Sequence, residues 1–118
     1  MNNGRYISSR FPYLAVRIEV RLQVADVEAL LDTGFDGDVA VPQSLVTDSQ
    51  PPDGHSRWAL ADGSTVLVPY YQGTTHLGDL GPFPATVIAL GDEPLVGAGV
   101  ARHVTIILDH GRRLIVEP

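Results

Sequence analysis

Between residues 13 and 22 apolar and charged side chains alternate. Leu14, Val16, Ile18, Val20 and Leu22 fall on one side, and Arg17, Glu19 and Arg21 on the other. Alternation with a period of two fits only an extended chain with one face buried. A turn near Ala25-Asp26 is expected to lead into a second strand over 27–31, and Val39-Ala40-Val41 is a third, short and fully apolar. Strands over 57–61 and 65–71 flank Asp62-Gly63, a strong hairpin signal. Two more, over 74–77 and 83–90, lie on either side of Gly78-Asp79-Leu80-Gly81-Pro82, and the last pair, 104–108 and 113–116, is joined through Asp109-His110-Gly111. Pro42 suits the first position of a helical turn through 43–46, because its missing N–H costs nothing there. Another single turn fits 99–103, and 47–56 reads as a polar loop. Turn signals at this spacing with no long helix predict an all-β barrel or sandwich. The domain reading is a flexible N-terminal arm over 1–10 and one domain over 11–118.

Composition narrows the functions. The 118 residues contain no cysteine, which excludes a disulfide framework, a thiolate nucleophile and a zinc–thiolate site. The net charge is −6, with eight Arg and no Lys; a phosphate backbone calls for a basic surface, so nucleic acid is not the expected partner. No apolar run reaches membrane-spanning length, and the polar Met-Asn-Asn-Gly-Arg-Tyr start lacks a signal-peptide core, so the expected compartment is the cytoplasm, away from the membrane. His55, His76, His103 and His110 show no metal-ligand spacing, and no metal or other cofactor is expected. The serines lack a nucleophile-elbow context.

One feature carries chemistry. Asp32, followed by Thr33 and Gly34, comes directly after the apolar run Ala29-Leu30-Leu31. A carboxylate at the end of a buried strand is costly unless it is hydrogen-bonded or used. Asp-Thr-Gly is also an ordinary turn, as is Asp36-Gly37 after it. The motif occurs once.

The chain resembles the retropepsin-like aspartic proteases, the single-domain, dimeric relatives of retroviral protease found also in bacteria and archaea. Four pieces carry the resemblance, in the family's order. They are Leu30-Leu31-Asp32-Thr33-Gly34 with Val39-Ala40-Val41-Pro42; the hairpin Trp58-Ala59-Leu60-Ala61-Asp62-Gly63-Ser64, matching the flap; Pro94-Leu95-Val96-Gly97, the second apolar-apolar-Gly element; and the tail over 104–116. The resemblance implies an aspartic endopeptidase with an acid-protease barrel and one short helix. Amide hydrolysis by water needs a base and an acid, and two carboxylates sharing one proton supply both. One Asp32 per chain then requires a homodimer with its two-fold axis through the site.

The resemblance further implies that Thr33 bonds across that axis, that Gly34 leaves room for close approach, and that Ala61, Asp62 and Gly63 form a lid over an extended peptide substrate. It implies that the terminal strands, with the run Leu114-Ile115-Val116, interlace across the axis. Gly97 either ends a buried strand or lets a neighbouring segment pack on the catalytic loop. Asp36 either contacts substrate backbone, supports the loop or only turns the chain. Trp58 reads as a packing residue at the hairpin base. Phe35 departs from the small residue common after Asp-Thr-Gly and stands to line or narrow the cleft. The lid has one glycine where viral enzymes have several. The alternative to an active peptidase is a catalytically weak or inactive dimer of the same fold that binds peptide or serves assembly. Another rival is an unrelated small β-barrel in which Asp32 is a turn residue.

Overall fold

A computed structural model describes residues 4–46 and 51–118. The chain forms β1 (Tyr6–Ser8), β2 (Tyr13–Val20), β3 (Gln23–Leu31), β4 (Val39–Val41), β5 (Gly54–Ala59), β6 (Thr65–Leu77), β7 (Leu80–Ala89), β8 (Leu95–Val96), β9 (Thr105–Asp109) and β10 (Arg113–Glu117). A 3-10 turn, Gln43–Leu45, follows Pro42, and α1 (Ala98–Ala101) is a single helical turn. The seven-stranded sheet runs β2-β3-β8-β4-β7-β6-β5, and β6 also pairs with β2, so the first six strands of that order close into a barrel. The fold is all-β, as the alternation required. Among the described residues no helix is long and apolar enough to cross a membrane.

The inward face of β2 is the keystone of the core. Leu14, Val16, Ile18 and Val20 are buried and pack with Val39, Val41, Tyr71, Leu77, Val87, Val96, Val100, Leu114 and Val116. A smaller cluster of Ala40, Val68 and Ile88, with Phe35, Trp58 and Tyr70 packed against it, lies toward the hairpin. It joins that hairpin to the part of the barrel that bears Asp32.

Several expectations are corrected. Leu22 does not continue the buried face of β2; it is 95% exposed. The register pairs Val20 with Gln23, so the reversal falls at Arg21-Leu22, with Arg21 in the left-handed region at φ 55°. Ala25 and Asp26 are accordingly strand residues, not a turn. The strands expected over 65–71 and 74–77 are one strand, β6. Gly73 within it is no break: a Cβ there would lie 2.2 Å from the Glu19 carbonyl oxygen, so the missing side chain permits the close approach of β6 to β2 that closes the barrel. Strand β5 begins at Gly54, inside the loop expected over 47–56, of which residues 47–50 lie outside the described residues.

The stretch 1–10, read as a flexible arm, carries β1, and its residues 1–3 lie outside the described residues. Tyr6, Ile7 and Ser8 pair with Val116, Ile115 and Leu114. Burial of the Tyr6 ring pushes its phenol pKa up to about 12, because the charged form is poorly solvated there. Strand β10 is therefore the middle strand of a three-stranded sheet, β1-β10-β9, with neighbours on both sides. Its Leu114 and Val116 are buried in the same chain's core. The pairing edges left in that sheet belong to β1 and β9, not to β10.

Candidate active site

Asp32 leaves the barrel at a parallel junction. Leu30 and Leu31 of β3 lie beside Leu95 and Val96 of β8, and the Asp32 backbone N–H donates to the Val96 carbonyl at 2.9 Å. Beyond the loop the chain returns as β4, which pairs with the other side of β8. A strand from sixty residues further along thus lies between the two strands that flank the loop, and the loop 32–38 wraps its end. The Asp32 carbonyl accepts the Phe35 N–H at 3.1 Å. Its carboxylate Oδ1 accepts the Gly34 N–H at 3.0 Å, an Asx turn that fixes where the carboxylate stands. Asp32 is half-buried, and Thr33 and Gly34 are exposed. A Cβ on Gly34 would make only ordinary contact, 3.4 Å from Asp32 Oδ1.

The segment after β8 secures the far side of the loop. Gly97 N–H donates to the Asp38 carbonyl at 2.9 Å, Ala98 N–H to that of Phe35 at 2.9 Å, and Gly99 N–H to that of Gly37 at 3.0 Å. No side chain fits at Gly97: its Cβ would stand 2.3 Å from the Gly37 oxygen and 2.6 Å from the Phe35 oxygen. The Phe35 ring lies against Gly37 and Gly97 and meets Trp58 at 5.2 Å between centroids, tilted by 51°. Phe35 therefore joins the loop to the hairpin of β5 and β6, and Trp58 is its packing partner. Asp36 is exposed.

Ala61, Asp62 and Gly63 form the exposed hairpin tip. Leu60 N–H donates to the Ser64 carbonyl at 2.8 Å and Gly63 N–H to that of Leu60 at 3.0 Å, with Gly63 at φ 88°. Hydrogen bonds from the Ser64 hydroxyl and N–H hold the Asp62 carboxyl below the usual carboxylate range. So Asp32, Thr33, Gly34, Phe35, Asp36 and Gly97 come together around one loop. The hairpin reaches that loop through Trp58, while the tip residues stand apart at the turn.

Asp38 escaped the sequence reading. Its Oδ2 accepts the Thr86 N–H of β7 at 2.8 Å, and its carbonyl accepts the Gly97 N–H. The available signal was its placement: a carboxylate directly before the buried run Val39-Ala40-Val41 mirrors Asp32 directly after 29–31. Between loop and hairpin lies a cleft of about 350 Å³, lined by Phe35, Asp38, Trp58, Tyr70, Gln72 and Thr86 among others. Among the described residues no group of three or more His, Asp or Glu side chains is placed to hold a metal ion.

No family model matches the chain, and no curated protein matches its sequence. Among solved structures it is similar to a retropepsin-like aspartic protease from Rickettsia conorii, with a TM-score of 0.63, 13% identity and coverage of 95% of this chain and 89% of that one. It is also similar to the protease of simian foamy virus (mac), with a TM-score of 0.51, 20% identity and coverage of 76% and 91%. The fold is retropepsin-like.

Proposed function

We propose that this protein is an aspartic endopeptidase that works as a two-fold homodimer, with Asp32 of each chain forming the catalytic pair. The observation that carries the reading is Asp32 itself. A half-buried carboxylate, held by the Gly34 N–H, stands once per chain at the strand-end loop of a retropepsin-like barrel. One carboxylate is half of a water-activating site, and a second chain related by a two-fold axis supplies the other half.

In the assembled pair one carboxylate is ionised and the other protonated. The ionised group takes a proton from water as the water oxygen attacks the amide carbon, and the protonated group gives its proton to the carbonyl oxygen. The tetrahedral intermediate then collapses: the C–N bond breaks, the leaving nitrogen takes a proton from one carboxyl, the other carboxylate takes a hydroxyl proton of the intermediate, and a carboxylic acid and an amine are released with the pair again holding one proton. Thr33, exposed in the single chain, faces the partner loop and fixes the spacing. Gly97 admits the close approach of the Gly37 and Phe35 carbonyls that holds the loop, and Gly34 leaves room for the partner loop. Phe35 and Asp36 border the bound peptide, and Ala61, Asp62 and Gly63 close over it as it adds to the strand edges.

The β1-β10-β9 sheet supports the dimer. Its register aligns Ile7, Ile115 and Ile107 on one face, with Ile7 48% and Ile107 40% exposed on either side of Ile115, which is 7% exposed. A second copy is the natural cover for that row. The test is cleavage of a peptide pool across acidic to neutral pH by wild type and by Asp32→Asn, with oligomeric state followed by analytical ultracentrifugation. Cleavage by wild type only, in a dimer that both proteins form, is the expected result. Cleavage that survives Asp32→Asn, or an active monomer, overturns the reading. A dimer that binds peptide without cutting it turns the assignment to a peptide-binding module.

A further inference from the structure

We propose that the cleft between the Asp32 loop and the hairpin selects a basic side chain, arginine or lysine, of an extended peptide. The inference rests on the peptidase reading and names what the substrate presents beside the reacting bond. The cleft has aromatic walls, Phe35, Trp58 and Tyr70, and one carboxylate, Asp38. All these residues belong to one chain.

Two of the N–H donors at the cleft are already taken, and its one carboxylate is not paired with a cation among the described residues. Trp58 Nε1–H is taken by Ser56 Oγ at 2.9 Å. The Thr86 N–H is taken by Asp38 Oδ2, and the Thr86 hydroxyl donates to Gln72 Oε1 at 3.3 Å. Asp38 is half-buried: its Oδ2 accepts that bond, its Oδ1 packs against Gly99 where a Cβ would sit, and no cation pairs with it among the described residues, which leaves the outer lone pair of Oδ2 for a donor in the cleft. A carboxylate has room for several donors.

An apolar substrate side chain would cover the walls but strip water from Asp38 without offering a cation, which is unfavourable. An acidic one meets Asp38 as a like charge. An arginine or lysine satisfies both features: its methylene stem lies along the rings, and its cation reaches the carboxylate or stacks on Trp58 or Tyr70. The net charge of −6 works in the same direction by drawing basic peptides toward the protein.

Two measurements test this separately from the peptidase reading. In the first, wild-type protein cuts a randomised peptide pool and the products are sequenced by mass spectrometry; enrichment of Arg and Lys at one position on one side of the cut is expected. In the second, Asp32→Asn protein is titrated with short blocked peptides that differ only in a central Arg, Lys, norleucine or Glu. Trp58, the only tryptophan in the chain, reports occupancy through its own fluorescence.

Basic peptides should bind about tenfold more tightly than the norleucine peptide, the ratio set by ~1.4 kcal/mol. The preference should shrink toward unity in high salt and with Asp38→Asn added, an amide that keeps an acceptor for the Thr86 N–H. Cleavage without basic enrichment overturns the inference and leaves the peptidase reading standing. Absence of cleavage with the binding preference intact overturns the peptidase reading and leaves the basic subsite standing. Equal binding of basic and norleucine peptides to the Asp32→Asn protein overturns the inference whatever Asp38→Asn does.

Discussion

The loop from Asp32 to Asp38 and the hairpin tip from Leu60 to Ser64 are both short irregular segments, yet they are built on opposite terms. Each end of the loop is bonded to a different element: Asp32 to Val96, Phe35 to Ala98, Gly37 to Gly99, Asp38 to Gly97 and to Thr86. The tip bonds only to itself, through Leu60, Gly63 and Ser64 and the Asp62 carboxylate. Every residue of the tip is exposed. On the proposed reading, a group that meets its symmetry mate at a fixed distance gains from over-determination, whereas a tip that closes over substrate gains from having few ties. Substitutions in the two segments should therefore differ in size and in what they change.

The largest effect is expected where the loop meets β8. Gly97→Val puts a branched side chain where even a Cβ overlaps the Gly37 oxygen, and we expect it to cost roughly 3 kcal/mol or more, read as a lower urea midpoint together with loss of peptide cleavage. A wild-type midpoint would break the contrast. Asp38→Ala removes the acceptor of the Thr86 N–H and is expected to cost about 1–3 kcal/mol, again in the urea midpoint. At the tip, Gly63→Ala places a side chain where no neighbour lies within 4 Å, at φ 88°. Only backbone strain remains, about 1 kcal/mol, and the change should alter turnover more than global unfolding.

The smallest effect belongs to Asp62. Its carboxyl is held below the usual range in the folded state by the Ser64 bonds, so its contribution is present above the unfolded-state pKa and is lost as pH falls through the folded-state value. Asp62→Asn should match wild type in thermal midpoint at low pH and fall slightly below it near neutrality. The reverse order would contradict the assigned cause.

The same contrast explains what the sequence made legible. Alternation in β2 announced a half-buried strand because every second residue there faces one core. It misled at Leu22 because a left-handed residue, Arg21, reversed the chain one step earlier. The break expected between 71 and 74 is absent from β6, since nothing local distinguishes a glycine that ends a strand from one, like Gly73, that lets another strand close in. Asp32, Thr33, Gly34 and Gly97 were legible as a motif. Asp38 was not, because its partners Thr86 and Gly97 are forty-eight and fifty-nine residues away and meet it only once β8 lies between β3 and β4.

The central claim is that each active site needs Asp32 from two chains, and co-refolding wild type with Asp32→Asn protein in varied ratios tests it most directly. Random pairing makes the fraction of fully wild-type dimers the square of the wild-type fraction, so an equal mixture should keep about a quarter of the cleavage activity given by the same total amount of wild-type chain. Activity that falls in simple proportion to the wild-type fraction would mean that one chain holds a complete site, and would contradict the account.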